Sequence, residues 1–412
     1  MDTEFFREWF SRNPLTHFFM ILSALVVLIF IICALATGGN TLIDMFVDQP
    51  GDYFSDYFYS VATSYPDPYS VERVIYPPLV ITGYALMRQY VMPFVDESGT
   101  QDLMYDIRDS QAGMMSYVFL LLSIAFVLLR LILHMSSTRE AKILAFLVLF
   151  SDPFIHVVER GNVMILVMVL CLAFLLTYSS ENRYVRYLSY VILGCAVGIK
   201  IYPVFLCVLY LRDGRYRHLL ECLVVVCVLF FLPFVFTDGN PAMLLDNIHN
   251  HLGDPDGNSG VLFASTVVNV LSDCLSAEVL TVLGYLVTIL MFALMLIPIV
   301  YDKGLKGWEC VTLAVCMMMY GPGVAAWEYM TLLVAIPAIF MLKEERELSL
   351  YTMVIAVTLI FVLAPIPMFW DATGDIRAMK QFVLFAPLVC VLVKSYMRMR
   401  KNRESERIPE SD

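Results

Sequence analysis

Charge is what this chain has least of. Aspartate, glutamate, lysine and arginine make up 16% of its 412 residues, while 59% are hydrophobic. A soluble protein of this length needs far more polar surface, so a water-soluble globular class is excluded. The strand-like alternation of an outer-membrane barrel is missing as well. So is a small-residue cleavage site after the first apolar run, His17 to Thr37, which therefore reads as a retained anchor. No internal repeat is visible. The ten cysteines show neither a disulfide framework nor metal-type spacing, because most of them fall inside apolar runs. The pattern calls for no metal and no other cofactor, and a net charge of −11 argues against nucleic acid as a partner.

What is present is a series of apolar runs, most of them long enough to cross ~30 Å of hydrocarbon. Spans are expected near 15–37, 113–134, 142–158, 161–179, 187–200, 201–211, 218–236, 277–300, 307–322, 325–342, 349–369 and 379–396. These predict an all-α polytopic membrane protein with one transmembrane domain over 1–397. The charged tail, 398–412, is expected to be disordered.

Orientation follows from the basic residues. One set of loops and the tail carry 20 of the 27 lysines and arginines, so that side and both termini are expected in the cytoplasm. The opposite side holds Arg73, Arg88, Arg108, Arg160, Lys200, Arg377 and Lys380, together with most of the carboxylates. Two long segments face outward on this reading, 38–111 and 237–276. Within them, Leu79 to Phe94 and Ser259 to Leu271 are expected to form helices lying in the membrane interface.

Several groups on this outer side have the makings of a site. Asp52 and Asp56 are four apart, a spacing that puts both carboxylates on one face if the stretch is helical. Tyr53, Phe54, Tyr57, Phe58 and Tyr59 would then surround them, and aromatic faces stack on sugar rings. Such a partly shielded carboxylate suits general-base work, although an acidic, aromatic interfacial helix without catalytic duty fits the pattern equally. Tyr76-Pro-Pro-Leu79 reads as a stiff turn into the next helix. In Glu159-Arg-Gly-Asn162, Arg160 would grip a phosphate or pair with Glu159 or Asp152. Lys200 lies between two apolar runs and needs an anion, a phosphate or a nearby aspartate. His249, His251, Glu328 and Arg377 form a weaker outer group, with too few histidines for a metal site.

In this order, Asp56-Tyr-Phe-Tyr-Ser60, Tyr76-Pro-Pro-Leu79, Glu159-Arg-Gly-Asn162 and Lys200-Ile-Tyr-Pro203 resemble glycosyltransferase family 87 of the GT-C superfamily. The motifs cover roughly residues 40–210. The resemblance implies a GT-C-like bundle of about 11–12 transmembrane helices, with interfacial helices in the first long extracytoplasmic loop. It implies a multi-pass protein of the cell membrane whose active site faces outward. It implies inverting transfer of a hexose, most often mannose, from a polyprenyl-phosphate sugar donor to a lipid-linked or cell-envelope glycan or glycolipid acceptor. An aspartate of the first outer loop would act as base: Asp56 by one form of the family motif, Asp52 by another. Arg160, Asn162, Lys200, Tyr76, His251, Arg377 and Glu328 would bind the donor phosphate or substrate. Two further readings stay open, a polysaccharide polymerase or ligase of the same topology and a secondary transporter.

Overall fold

The computed structural model describes residues 3–40, 53–95, 103–135, 142, 148–149, 151–252, 276–320, 330–363 and 383–406. Among them there is no strand. The chain begins with α1 (Thr3–Arg12), α2 (Pro14–Ala36), α3 (Ser55–Thr63), α4 (Pro78–Val91), α5 (Leu103–Asp109) and α6 (Gln111–Met135). It continues through α7 (Asp152–Arg160), α8 (Met164–Thr177), α9 (Arg183–Ile199), α10 (Val208–Arg212), α11 (Tyr216–Phe231) and α12 (Pro241–Leu252). The last group is α13 (Ala277–Tyr301), α14 (Gly307–Tyr320), α15 (Met330–Glu344), α16 (Leu350–Leu363) and α17 (Phe385–Glu406).

Local chemistry sets several of the boundaries. Asn13 caps α2, accepting from the Thr16 amide, and Pro14 occupies the first turn, where no amide donor is needed. The Asn182 side chain caps α9 by accepting from the amides of Tyr184 and Val185. Pro77 is extended and Pro78 opens α4, so Tyr76-Pro-Pro-Leu79 is the stiff helix entry expected of it.

Pro14–Ala36, Gln111–Met135, Tyr216–Phe236 and Val282–Tyr301 are long and apolar enough to cross a bilayer. At most 22% of each such stretch is buried inside the protein. Apolar surface of that extent is stable against hydrocarbon, not water. Met164–Thr177, Gly307–Met318 and Leu350–Leu363 are apolar but shorter, and their side chains are largely buried. A helix apolar all round belongs in such an interior. α8, α14, α15 and α16 therefore fill the centre, and the four long spans lie toward the rim. Helices also cover the other expected apolar segments, but several are too short to cross alone, and 142–158 is described only in part. The described residues thus form an all-α polytopic membrane protein.

The two ends of the bundle differ. α9 is ~25 Å long at 1.5 Å per residue. Beside its first turn, Arg215 donates to Ser179 O and Glu181. Arg212 donates to Leu305 O at the same end. There Glu309, fully buried, accepts from Lys394 Nζ at 2.8 Å, and Asp302 accepts from Ser395 and Arg398. Lys306 pairs with Glu345. Among the described residues, the basic side chains around Arg212–Arg215, Lys306 and Lys394–Arg398 thus gather at one end. The other end of α9 is Lys200, and the candidate site lies there.

Candidate functional site

The site begins with how α7 stops. Gly161 is left-handed, with φ of 68°. Its amide donates to Val158 O, and the amide of Asn162 donates to Val157 O. This bond pair closes a helix through a left-handed residue, normally glycine. A β-carbon at Gly161 would stand 3.0 Å from Tyr57 Cβ and 3.1 Å from Phe54 Cα, so the turn admits no side chain without movement. Arg160 and Asn162 flank this turn and reach the same carboxylate.

That carboxylate is Asp56. Arg160 Nη2 donates to Asp56 Oδ1 at 2.9 Å, and Asn162 Nδ2 donates to Asp56 Oδ2 at 2.7 Å. The Asn162 side-chain oxygen in turn accepts from the Met164 amide, which fixes the amide's orientation. The backbone holds the two sides together: the Phe54 amide donates to Glu159 O at 2.6 Å. Phe54 is itself left-handed, and α3 begins directly after it, placing Asp56 in the first turn. The Asp56 side chain is 19% exposed.

The aromatic residues around Asp56 sort differently from the expectation that all of them surround it. Tyr57 and Phe58 point into the core, and Tyr59 is exposed. The Tyr57 hydroxyl lies 3.0 Å from Ser116 Oγ on α6, and its ring packs against Tyr84 and Tyr117. Burial raises the Tyr57 phenol, partly offset by the Ser116 hydrogen bond, so it stays protonated. Ser116, Tyr84 and Tyr117 were not legible as site neighbours. A serine and a tyrosine at the start of an apolar span were the available signal.

Lys200 closes the other flank. Its Nζ lies 4.1 Å from the centre of the Tyr76 ring, a cation–π contact, and its side chain is buried. The approach depends on Gly198, where a β-carbon would meet Leu79 Cδ2 at 2.7 Å and Leu79 Cβ at 3.0 Å. Absence of a side chain lets the start of α4 settle on the end of α9.

These motifs converge on one cavity of about 480 Å3, almost wholly apolar in its lining. Tyr57, Leu79 and Asn162, from three of the four motifs, border it, as does Ile199, the residue before Lys200. Asp52, Glu328 and Arg377 lie outside the described residues; α3 starts only at Ser55, after Asp52. His251 is on α12, and its side chain also lies outside the description. The structure brings Asp56, Arg160 and Asn162 together and sets Lys200 on Tyr76; the two groups meet the same cavity through Asn162 and through Leu79 and Ile199. Arg160 pairs with Asp56, a partner not among those considered from sequence, Glu159 and Asp152.

Residues 107–321 match glycosyltransferase family 87, just over half of the chain. The chain belongs to that family. No curated protein and no solved structure is significantly similar to it. The matched region includes Arg160, Asn162 and Lys200; Asp56 and Tyr76 precede it. Family 87 membership makes this all-α membrane protein a glycosyltransferase.

Proposed function

We propose that the chain moves a hexose, mannose in first place, from a polyprenyl-phosphate sugar to a hydroxyl of a lipid-linked or cell-envelope acceptor. The reading is carried by one observation: a carboxylate fixed by Arg160 and Asn162 stands beside an almost wholly apolar cavity that Asn162 borders. A carboxylate that two side chains hold beside an apolar cavity is a functional-site candidate. The cavity suits a prenyl chain, and the polar residues at its edge suit a sugar phosphate.

In the proposed reaction the acceptor oxygen attacks the anomeric carbon while Asp56 takes its proton. The bond from that carbon to the phosphate oxygen breaks, and its electron pair leaves with the polyprenyl phosphate. Attack opposite the leaving group inverts the anomeric centre. Arg160 and Lys200 oppose the charge that grows on the phosphate, where a shielded site makes fixed cations most effective. Tyr76 orients Lys200, and Asn162 orients Asp56. Asp52 is the second choice of base, and His251, Glu328 and Arg377 are further candidates for substrate contact. The excess of basic residues on one side supports cytoplasmic termini and a site on the extracytoplasmic face of the cell membrane.

The test is reconstitution with radiolabelled polyprenyl-phosphate mannose. Release of polyprenyl phosphate together with a mannoside of inverted configuration supports the reading. Counterflow of a labelled solute without any bond cleavage contradicts it and favours transport.

A further inference from the structure

The charged tail begins inside α17, whose helix runs on to Glu406. Its basic residues fall into two sets. Lys394 and Arg398, four apart, turn into the bundle: Lys394 Nζ reaches the buried Glu309, and Arg398 Nε donates to Asp302 at 3.1 Å. Arg400 and Arg403, three apart, are exposed and border a groove of about 340 Å3 between α17 and α13. Ile297 of α13 and Tyr396, Met399 and Glu404 of α17 complete its lining. The two walls are held in register. The Tyr396 hydroxyl donates to Leu294 O at 3.2 Å, and the Arg398–Asp302 pair ties α17 to the residue that follows α13.

The groove sits where hydrocarbon gives way to water. Val389, Val393 and Met397 recur at every fourth position of α17 and are exposed, a stripe that is stable against lipid. Arg400 and Lys401 continue the stripe three and four residues beyond Met397. On α13, a helix long and apolar enough to cross the membrane, the exposed apolar series ends at Tyr301. Tyrosine is a residue of the headgroup level. Both walls therefore change character at the depth of lipid phosphates.

Charge narrows the occupant. Glu404 takes one donor of Arg400, its Nε, at 2.8 Å, in a pair that is exposed on both sides and therefore weak. Arg403 has no partner among the described residues. Two guanidinium groups over a floor of Ile297 and Met399 match a phosphodiester that carries a fatty chain, because the planar fork takes phosphate oxygens in pairs and the floor takes methylenes. A zwitterionic headgroup brings a cation of its own toward the arginines and fits worse.

We propose that this groove binds an anionic phospholipid of the adjoining leaflet, with its phosphate between Arg400 and Arg403 and one acyl chain on Ile297 and Met399. The site lies at the end of the bundle opposite Lys200 and does not rest on the transfer reaction.

The experiment uses the full-length protein in phosphatidylcholine nanodiscs containing a minor fraction of phosphatidylglycerol, with a diazirine close to the glycerol in one acyl chain. Photolabelled peptides are mapped by mass spectrometry. Label is expected on 294–301 and 396–403, and it is expected to fall at least about fivefold in Arg400→Gln/Arg403→Gln. Arg183→Gln/Arg217→Gln, which removes two charges from the same end outside the groove, is expected to leave the label unchanged. The same diazirine on phosphatidylcholine is expected to label these peptides at least about fivefold less, and excess inorganic phosphate is expected not to compete. Thermal unfolding of each variant is followed alongside; if the groove variant does not fold, the comparison of the two lipids on the unaltered protein decides. Equal labelling by the two lipids overturns the proposal. So does an equal fall in both variants, which would mean general attraction to a basic surface. Competition by inorganic phosphate overturns it in favour of a free anion.

Discussion

Arg160 Nη2 stands 2.9 Å from Asp56 Oδ1, joining residues 104 positions apart. The guanidinium has two duties on the proposed mechanism, to hold the base and to meet the departing phosphate. Arg160→Ala is expected to lower sugar transfer by about 100-fold, and Arg160→Lys, which keeps the charge but loses the planar fork, is expected to recover part of it. Combined with Asp56→Asn, the loss should fall well short of the product of the single losses, because the two residues act as a unit. Transfer rates of the four proteins check this.

Gly161→Ala tests the turn. A β-carbon there meets Tyr57 and Phe54 at 3.0–3.1 Å, inside van der Waals contact, in a left-handed conformation that alanine disfavours. The expected cost is about 1–3 kcal/mol, read as a lower unfolding temperature. Activity should fall further than stability does, since Arg160 and Asn162 would both move relative to Asp56.

Gly198→Ala should also be harmful, through overpacking against Leu79, by about 1–3 kcal/mol. Leu79→Ala in the same chain is expected to return most of that stability. The pair of substitutions forms a double-mutant cycle, and additive effects would show that the two residues do not meet.

Much of this was legible in the sequence, and the exceptions have physical causes. The apolar runs gave helices close to their expected bounds, as in 15–37 against Pro14–Ala36 and 113–134 against Gln111–Met135, because hydropathy over twenty residues is a strong signal. Three short motifs contain residues bordering one cavity, and the fourth begins directly after another, Ile199. The Asp56–Arg160 pair was not legible. Reading along the chain offers Arg160 only its neighbours, Glu159 and Asp152, whereas the observed partner depends on a left-handed turn at Gly161 and a backbone bond from Phe54 to Glu159. Nor was the inward packing of Tyr57 and Phe58, which needs Ser116, Tyr84 and Tyr117 in place. Side chains expected to ring the carboxylate instead anchor its helix.

The far end of the bundle gives a control. Glu309, fully buried, accepts from Lys394 Nζ, from the Tyr351 hydroxyl at 2.9 Å and from the Lys306 amide at 3.0 Å. Glu309→Ala would strand a buried donor, which costs ~1–3 kcal/mol; Lys394 is 38% exposed and can be hydrated again. Thermal unfolding should register the loss, while KM for the donor in the folded fraction stays unchanged. A raised KM would show that this network and the site are coupled.

The most direct measurement is mannosyl transfer by the Asp56→Asn protein, with donor binding and thermal unfolding followed in the same sample. Transfer is expected to fall at least ~100-fold, while the protein stays folded and still binds donor. Undiminished transfer in Asp56→Asn, and again in Asp52→Asn, would contradict a carboxylate base at this site.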